Sequence, residues 1–459
     1  MRDTLLLAAL MAASTAAAAS DPADDGRQWL AGDHHVHSEW SVDWDRSTTP
    51  PTPIRGGDSA YTRSRNAAQA RAFGLRWMVH TDHGGPGHSV VTRDHAYPAL
   101  LQARADVPDL IQFNGMEFDV PAGEHASLII APGPQERDQL VAIERDYSRG
   151  EPLQDGSRDT HQHMLDALAH MQGLSPQPVL VINHPSRTAT GVGQWGEVEP
   201  AELHAWHAAA PQVLVGMEGA PGHQATRTER GLYRNTAAPT FGGFDQMTAQ
   251  VGGVWDQMLA AGTRFWITAS SDSHVNVRDG GSDFDPGEYS KTYVWARPEA
   301  EDILDGLRGG RLFVTTGDLI DALELTVQPV DGSAAPAHMG GTLRLAPDAR
   351  MRVQLRVRQP EAPNAAGQHP VLRQLELIVG GTDSQGAPRM RARHFTAADW
   401  QRDGTWYSAS WELAAPPTGG FVRARGSSTA EPTPLADSKG EDPWQDLWFY
   451  ANPVFIQTR

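Results

Sequence analysis

Between Leu30 and about Gly317, short apolar runs alternate with segments whose apolar residues recur at helical spacing. Trp77 to His80, Leu110 to Phe113, Ser127 to Ala131, Val179 to Ile182, Val213 to Met217 and Phe265 to Ala269 read as strands. Ala60 to Phe73, Gln162 to Met171 and Gly253 to Ala261 read as helices between them. Repeated strand and helix units of this kind build a parallel sheet or barrel, so the pattern predicts one α/β barrel over residues 27–318. Beyond Leu319 the pattern changes to alternation, as in Leu343-Arg344-Leu345, Met351 to Arg358, Leu372 to Val379 and Phe421 to Ala424, with turn signals at Gly380-Gly381 and Gly419-Gly420. A period of two belongs to half-buried strands, and residues 319–459 are expected to form a small antiparallel, sandwich-like β domain. Two Gly-rich polar loops, Gly219 to Gly243 and Asn276 to Ser290, interrupt the first region. Loops of that length commonly serve as lids or binding loops.

The 459 residues leave room for a sizeable core, and a charged fraction of 20% with 14 Trp and 12 Phe is that of a folded chain rather than a disordered one. With 56 acidic against 38 basic residues the formal charge is −18. That argues against a general nucleic-acid binder, whose phosphate contacts need a basic footprint. Cysteine is absent, so disulfides, thiolate metal sites and Cys nucleophiles are excluded together. Any metal must sit on nitrogen and oxygen. The chain starts with Arg2, whose charge Asp3 offsets, and runs through Leu5 to Ala13 into an Ala-rich stretch before Ser20. This is the form of a secretory signal peptide over residues 1–19, with cleavage near Ala19. Its apolar part is too short for a membrane span and no later run of about 18 apolar residues occurs, so an exported product, periplasmic or secreted, is expected.

Candidate chemistry begins at Gly32-Asp33-His34-His35-Val36-His37-Ser38. Alternate side chains of an extended segment share a face, so His35 and His37 point one way and His34 the other. Two imidazoles side by side can hold one metal, although a polar surface strand shows the same spacing. The later apolar runs repeat the theme: His80-Thr81-Asp82-His83 follows Trp77 to Val79, Glu117 follows Phe113 to Met116, His184 follows Val179 to Asn183, and Asp272-Ser273-His274 follows Phe265 to Ala269. Strand ends of a (β/α) barrel converge on one mouth, so ligands spread over about 240 positions would meet in space. A carboxylate such as Glu117 among imidazoles is the arrangement that bridges two cations.

In combination these motifs resemble those of the PHP (polymerase and histidinol phosphatase) metallohydrolases, from His35 to about Gly317. The family's Asp-x-His-x-His opening is matched by Asp33 to His37, its acidic turn by Asp43, its Thr-Asp-His motif by Thr81-Asp82-His83 and its bridging carboxylate by Glu117. The next His is matched by His125, the His-Pro motif by His184-Pro185, and the closing Asp-x-His by Asp272 and His274. The resemblance implies a distorted, TIM-like (β/α)7 barrel of the PHP fold. It also implies nine ligands, His35, His37, Asp43, His83, Glu117, His125, His184, Asp272 and His274, around two to three divalent ions in a multinuclear, trinuclear-type site. Asp33, Asp82 and Glu218 are expected to stand behind those ligands. The segment Tyr293 to Asp318 resembles the barrel end of exported members with a C-terminal β domain, a branch similar to carbaryl-type carbamate hydrolases as well as phosphoesterases. Where the family often has Pro after this Gly317, Asp318 stands here.

With imidazole and carboxylate ligands alone, the expected ions are Zn, Mn or Fe. Clustered metals acidify a water and clamp the oxygens of an in-line displacement. The expected activity is therefore a metal-dependent phosphoric ester hydrolase that cleaves small phosphomono- or diesters by metal-activated hydroxide. A carboxyl or carbamate ester hydrolase using the same site is the alternative. A phosphoester calls for a fixed cationic donor, for which Arg187 and Lys291 are the substrate-binding candidates. His88 and His223, in Gly-rich loops beside the mouth, are the candidate general acids. His161 and His163 diverge by about 200° on a helix and are read as a solvated face.

Overall fold

The computed structural model describes residues 25–151, 156–225, 233, 235–346 and 349–458. The segment read as a signal peptide, residues 1–19, lies outside them. Among the described residues no helix is long and apolar enough to cross a membrane.

The first region holds β1 (Gln28–Asp33), β2 (Asp43–Asp45), β3 (Thr52–Ile54), β4 (Trp77–His80), β5 (Ile111–Asp119), β6 (His125–Ile130), β7 (Val179–Ile182), β8 (Leu214–Ala220), β9 (Trp266–Ala269), β10 (Ser290–Ala296) and β11 (Leu312–Thr316). The three segments of helical spacing form the helices Arg63–Ala72, His161–Gln172 and Val254–Ala260. In one large mixed sheet the strands run in the order β1-β4-β5-β6-β7-β8-β9. Pairing is parallel from β1 through β4 to β5 and from β7 through β8 to β9. One strand breaks the repeat: β6 is antiparallel to both neighbours. Only residues 120–124 join it to β5, and a parallel return needs a connection of a dozen residues or more. The inversion puts the first residue of β6, His125, opposite Asp119 at the end of β5.

The remaining strands are β12 (Ala322–Pro329), β13 (Ala337–His338), β14 (Thr342–Leu345), β15 (Arg350–Arg358), β16 (Gln374–Thr382), β17 (Pro388–Phe395), β18 (Gln401–Asp403), β19 (Trp406–Ala414), β20 (Gly420–Ser427) and β21 (Trp448–Thr458). Their alternating sequence becomes alternating burial, most regularly in β15. Strands β12, β13, β15, β18 and β19 make a separate antiparallel sheet, whereas β17-β16-β20-β21 continue the large sheet because β21 pairs with β11. Leu325, Val353 and Leu355 of the first share one apolar core with Leu375, Leu377 and Val422 of the second. The C-terminal residues are thus hydrogen-bonded into the first region, not merely tethered to it.

Side chains from this shared sheet also reach β9, the last strand of the order. Thr292 Oγ1 of β10 accepts from Ala269 N at 2.8 Å and donates to Ala269 O at 2.7 Å. Asn452 of β21 clamps Ile267 in the same way, at 3.0 and 2.9 Å. Two buried ion pairs fasten the other face: Arg423 grips Asp256 of the helix Val254–Ala260 through contacts of 2.6 and 2.9 Å, and Arg425 Nε reaches Glu376 at 2.5 Å. Gly32 is required by packing, because a Cβ there would lie 1.9 Å from Trp77 Cε2.

Candidate metal centre

Sheet geometry gathers eight of the nine predicted ligands. Past β1 the chain stays extended, with His37 N donating to Ser273 O and Thr81 N to Val36 O. His35 and His37 accordingly share a face, as alternation requires. His34 takes the opposite one, with Nδ1 at 3.0 Å from Ser127 Oγ and Nε2 at 2.8 Å from Thr268 Oγ1. Two ligand positions, His184 (φ 30) and Asp272 (φ 46), hold left-handed backbone that costs a residue with a Cβ about 1–2 kcal/mol. Such local cost persists where the surroundings enforce it, which is typical of functional sites. Gly222 makes room beside Asp272, since a Cβ there would fall 2.3 Å from the Asp272 Cβ.

Glu117 is the hub. Its carboxylate lies 3.1 Å from His35 Nε2, 3.4 Å from His37 Nε2, 3.0 Å from His83 Nδ1, 3.0 Å from His125 Nδ1 and 2.9 Å from His184 Nε2. Asp272 Oδ1 is 3.1 Å from Nε2 of both His35 and His37, and those two nitrogens are 3.0 Å apart. Asp58 Oδ2 approaches His274 Nε2 at 3.2 Å. The ligand atoms form overlapping groups: His37, Asp58, His83 and His274; His35, His37, Glu117 and Asp272; His83, Glu117 and His125; and Glu124, His125 and His184.

Donor chemistry decides what such a cluster accepts. His35 Nδ1 lies 2.8 Å from Glu218 Oε1, and an ionised carboxylate accepts only, so Nδ1 carries the proton. Nε2 of the neutral ring is then a lone pair facing Glu117, Asp272 and His37. Acceptors crowded at this distance repel one another unless positive charge lies among them, and an imidazole and carboxylate set with no thiolate suits a hard or borderline divalent ion. Local electrostatics make the same demand for positive charge, which without an ion falls on a second proton of His35. Burial opposes charge on His35, but Asp272, Glu117 and Glu218 outweigh it and raise the imidazole well above its ordinary range. Burial likewise opposes charge on Glu117, and His125, His35 and His83 nevertheless hold it well below the usual carboxylate range.

Glu218 and Asp33 contact the ligand-bearing segments directly, and Asp82 contacts the residue after His37. Glu218 holds His35 and also accepts from His184 N at 2.7 Å and Ser270 Oγ at 2.5 Å. Asp33 accepts from the backbone of His35 and Ser271, and Asp82 from Ser38 and Arg63. Arg187 lies at the rim, paired with Glu124 and 3.2 Å from His125 Nδ1.

Other expectations are corrected. Asp43 is exposed at the head of β2, opposite Ile54, and belongs to none of the groups. Asp58, which follows the β2-β3 hairpin, stands where Asp43 was expected. Replacing Asp58 with Asn is expected to weaken Zn binding at least about 10-fold in chelator competition, while Asp43→Asn stays within about twofold of the parent. Lys291 is buried on β10 and paired with Asp318 at 2.6 Å. It shares a sheet face with Tyr293, opposite to Thr292, which reaches β9, so it is directed away from the ligands. Asp318 has φ 53, a conformation proline cannot adopt. Glu124, Asp119 and Asp283 were not anticipated. Asp119 contacts His125 Nε2 at 3.3 Å, and Asp283 Oδ2 accepts from His274 N at 3.0 Å.

His88, expected as a candidate general acid, is buried in the helix His88–Val91, with Nδ1 2.6 Å from Glu144 and Nε2 2.9 Å from the Trp40 carbonyl. Burial opposes its charge, but Glu144 and the Trp40 carbonyl push it up to about 9. A raised His pKa stabilises fully below the unfolded value near 6.5, and that contribution disappears as pH climbs through about 9. Urea unfolding should show the parent losing up to about 3 kcal/mol relative to His88→Gln between those limits. An unchanging difference would contradict the ion pair. His223 is buried, its ring 5.0 Å from that of Tyr289 and tilted by 39° to it, beside Gly243 of the first loop.

Neither a family model nor a curated protein sequence matches this chain.

Proposed function

We propose that this chain is an exported PHP-type metallohydrolase acting on small phosphomono- or diesters. In this reading β1 and β4 to β9 are the seven strands of a distorted (β/α) barrel, and residues 319–459 an appended β sandwich. The observation that carries it is the convergence of five imidazoles on the Glu117 carboxylate, with Asp272 and Asp58 beside them. His35, His37, Asp58, His83, Glu117, His125, His184, Asp272 and His274 would hold two to three ions of Zn, Mn or Fe. Once bound, those ions supply Lewis acidity and lower the pKa of water.

The chain's own residues bind and orient. A cavity of about 610 Å³ opens on the centre, lined by Asp58, Arg187, Gln224, Asp272, His274 and Asp283 among others. Arg187 supplies a guanidinium at its edge, the geometry that suits a phosphoryl oxygen. Glu218 and Asp283 fix the ligand-bearing backbone at His184 and His274, so the ligands need no reorganisation on binding. A second substrate class, the carboxyl or carbamate ester, is favoured by one observation: the Arg187 charge is already matched by Glu124.

Bis-p-nitrophenyl phosphate, p-nitrophenyl acetate and a naphthyl carbamate, given to one metal-loaded preparation before and after chelation, separate the classes. Chelator-sensitive turnover of the phosphodiester supports the proposal. Turnover confined to the acetate or carbamate moves the assignment to the second class, and turnover of none contradicts both.

A further inference from the structure

Below the ligands lies a run of fully buried polar side chains that hydrolysis itself does not call for. Ser127 Oγ is 2.9 Å from Asn183 Oδ1 and 3.0 Å from His34 Nδ1, while Asn183 Nδ2 is 3.1 Å from Glu117 Oε1. His34, Ser127 and Asn183 are all 0% exposed, so each hydrogen bond must be satisfied within the protein.

Donor arithmetic gives the run a direction. Ser127 N donates to Asn183 Oδ1 at 3.0 Å, so that atom is the amide oxygen and the NH2 faces Glu117, whose carboxylate can only accept. The single Ser127 hydroxyl proton is directed to the same Oδ1. Ser127 Oγ must then accept from His34, and Nδ1 of that ring is the donor. At the far end Thr268 Oγ1 meets His34 Nε2 at 2.8 Å. From His34 onward the run of donors therefore leads to Glu117, with Asn183 Nδ2 also 3.4 Å from His35 Nε2.

We infer that His34, through Ser127 and Asn183, is a positioning residue that fixes the Glu117 carboxylate for metal binding. The inference rests on the metal centre proposed above and is independent of the substrate assigned to it. Such a run holds both the rotamer and the charge of the hub: a carboxylate that receives an amide N–H on one oxygen is not free to rotate away from its imidazoles. Its effect is on affinity for the ions, since partners behind a ligand typically contribute 10–100-fold.

The test is Zn affinity of the full chain by chelator competition, with His34→Phe, Asn183→Leu, Glu117→Gln and the double variants His34→Phe/Asn183→Leu and His34→Phe/Glu117→Gln. His34→Phe is expected to weaken Zn binding about 10-fold, and the two double variants to bind no more weakly than Asn183→Leu and Glu117→Gln respectively. Should His34→Phe not fold, Ser127→Ala interrupts the same run at its middle with the loss of one oxygen. Parent-like affinity in these variants, or losses that add in full to that of Glu117→Gln, would overturn the inference. A parent chain that binds none of Zn, Mn or Fe is a different result, which removes the centre itself; if it binds Mn or Fe but not Zn, the same comparison is made with that ion.

Discussion

Glu117→Gln is expected to be the most damaging single substitution at the centre. It should bind fewer ions per chain and lose more than about 100-fold in turnover, because replacing a partner behind a ligand already costs 10–100-fold and Glu117 faces the ligands directly. Five imidazoles address its two oxygens. An amide keeps the shape but removes the negative charge and replaces one of the two acceptor oxygens with an N–H donor, which cannot face a cation. Metal content and kcat/KM measured on the same preparation check this. Parent-like stoichiometry in Glu117→Gln would show that the carboxylate does not bridge.

Asp256→Ala is expected to produce the largest loss of stability, about 3–5 kcal/mol. Its partner Arg423 is 0% exposed on β20, so removing the carboxylate strands a guanidinium where water cannot reach it. The pair joins the helix Val254–Ala260 to the sheet that β16 and β20 share with β21. Replacing both partners with apolar residues, as in Asp256→Leu/Arg423→Met, should recover most of the loss, since a buried pair repays little more than its own desolvation. Urea midpoints of the parent and the two variants decide. A cost below about 1 kcal/mol for Asp256→Ala would mean that the guanidinium finds other partners.

The ligands visible in the sequence were those that local periodicity reports. His35 and His37 are two residues apart in an extended segment, and His83, Glu117, His184 and Asp272 each follow an apolar run that became β4, β5, β7 or β9. Asp58 carried no such mark, because the β2-β3 hairpin, Asp43 to Ile54, folds 12 residues of chain back before it arrives. The turn at Gly56-Gly57 was its only local trace, with Gly56 at φ 73. His125 sits at the start of a strand rather than its end, and only the antiparallel turn of β6 makes that position equivalent. His88 and Lys291 share one circumstance: each lies near a Gly-rich loop in sequence, and in the structure each pairs with a carboxylate, the buried Glu144 or the half-buried Asp318. Pairing of β21 with β11 was illegible because the two strands are separated by more than a hundred residues, and alternation reports which face is buried but not which strand lies alongside.

The most direct test of the central claim is the metal content of the purified chain by elemental analysis, beside His37→Ala prepared identically. His37 reaches both Glu117 and Asp272 and stacks 3.8 Å from His274. The account predicts about two to three divalent ions per parent chain and fewer in the variant. A parent chain that holds no metal after equilibration with Zn, Mn or Fe would contradict it.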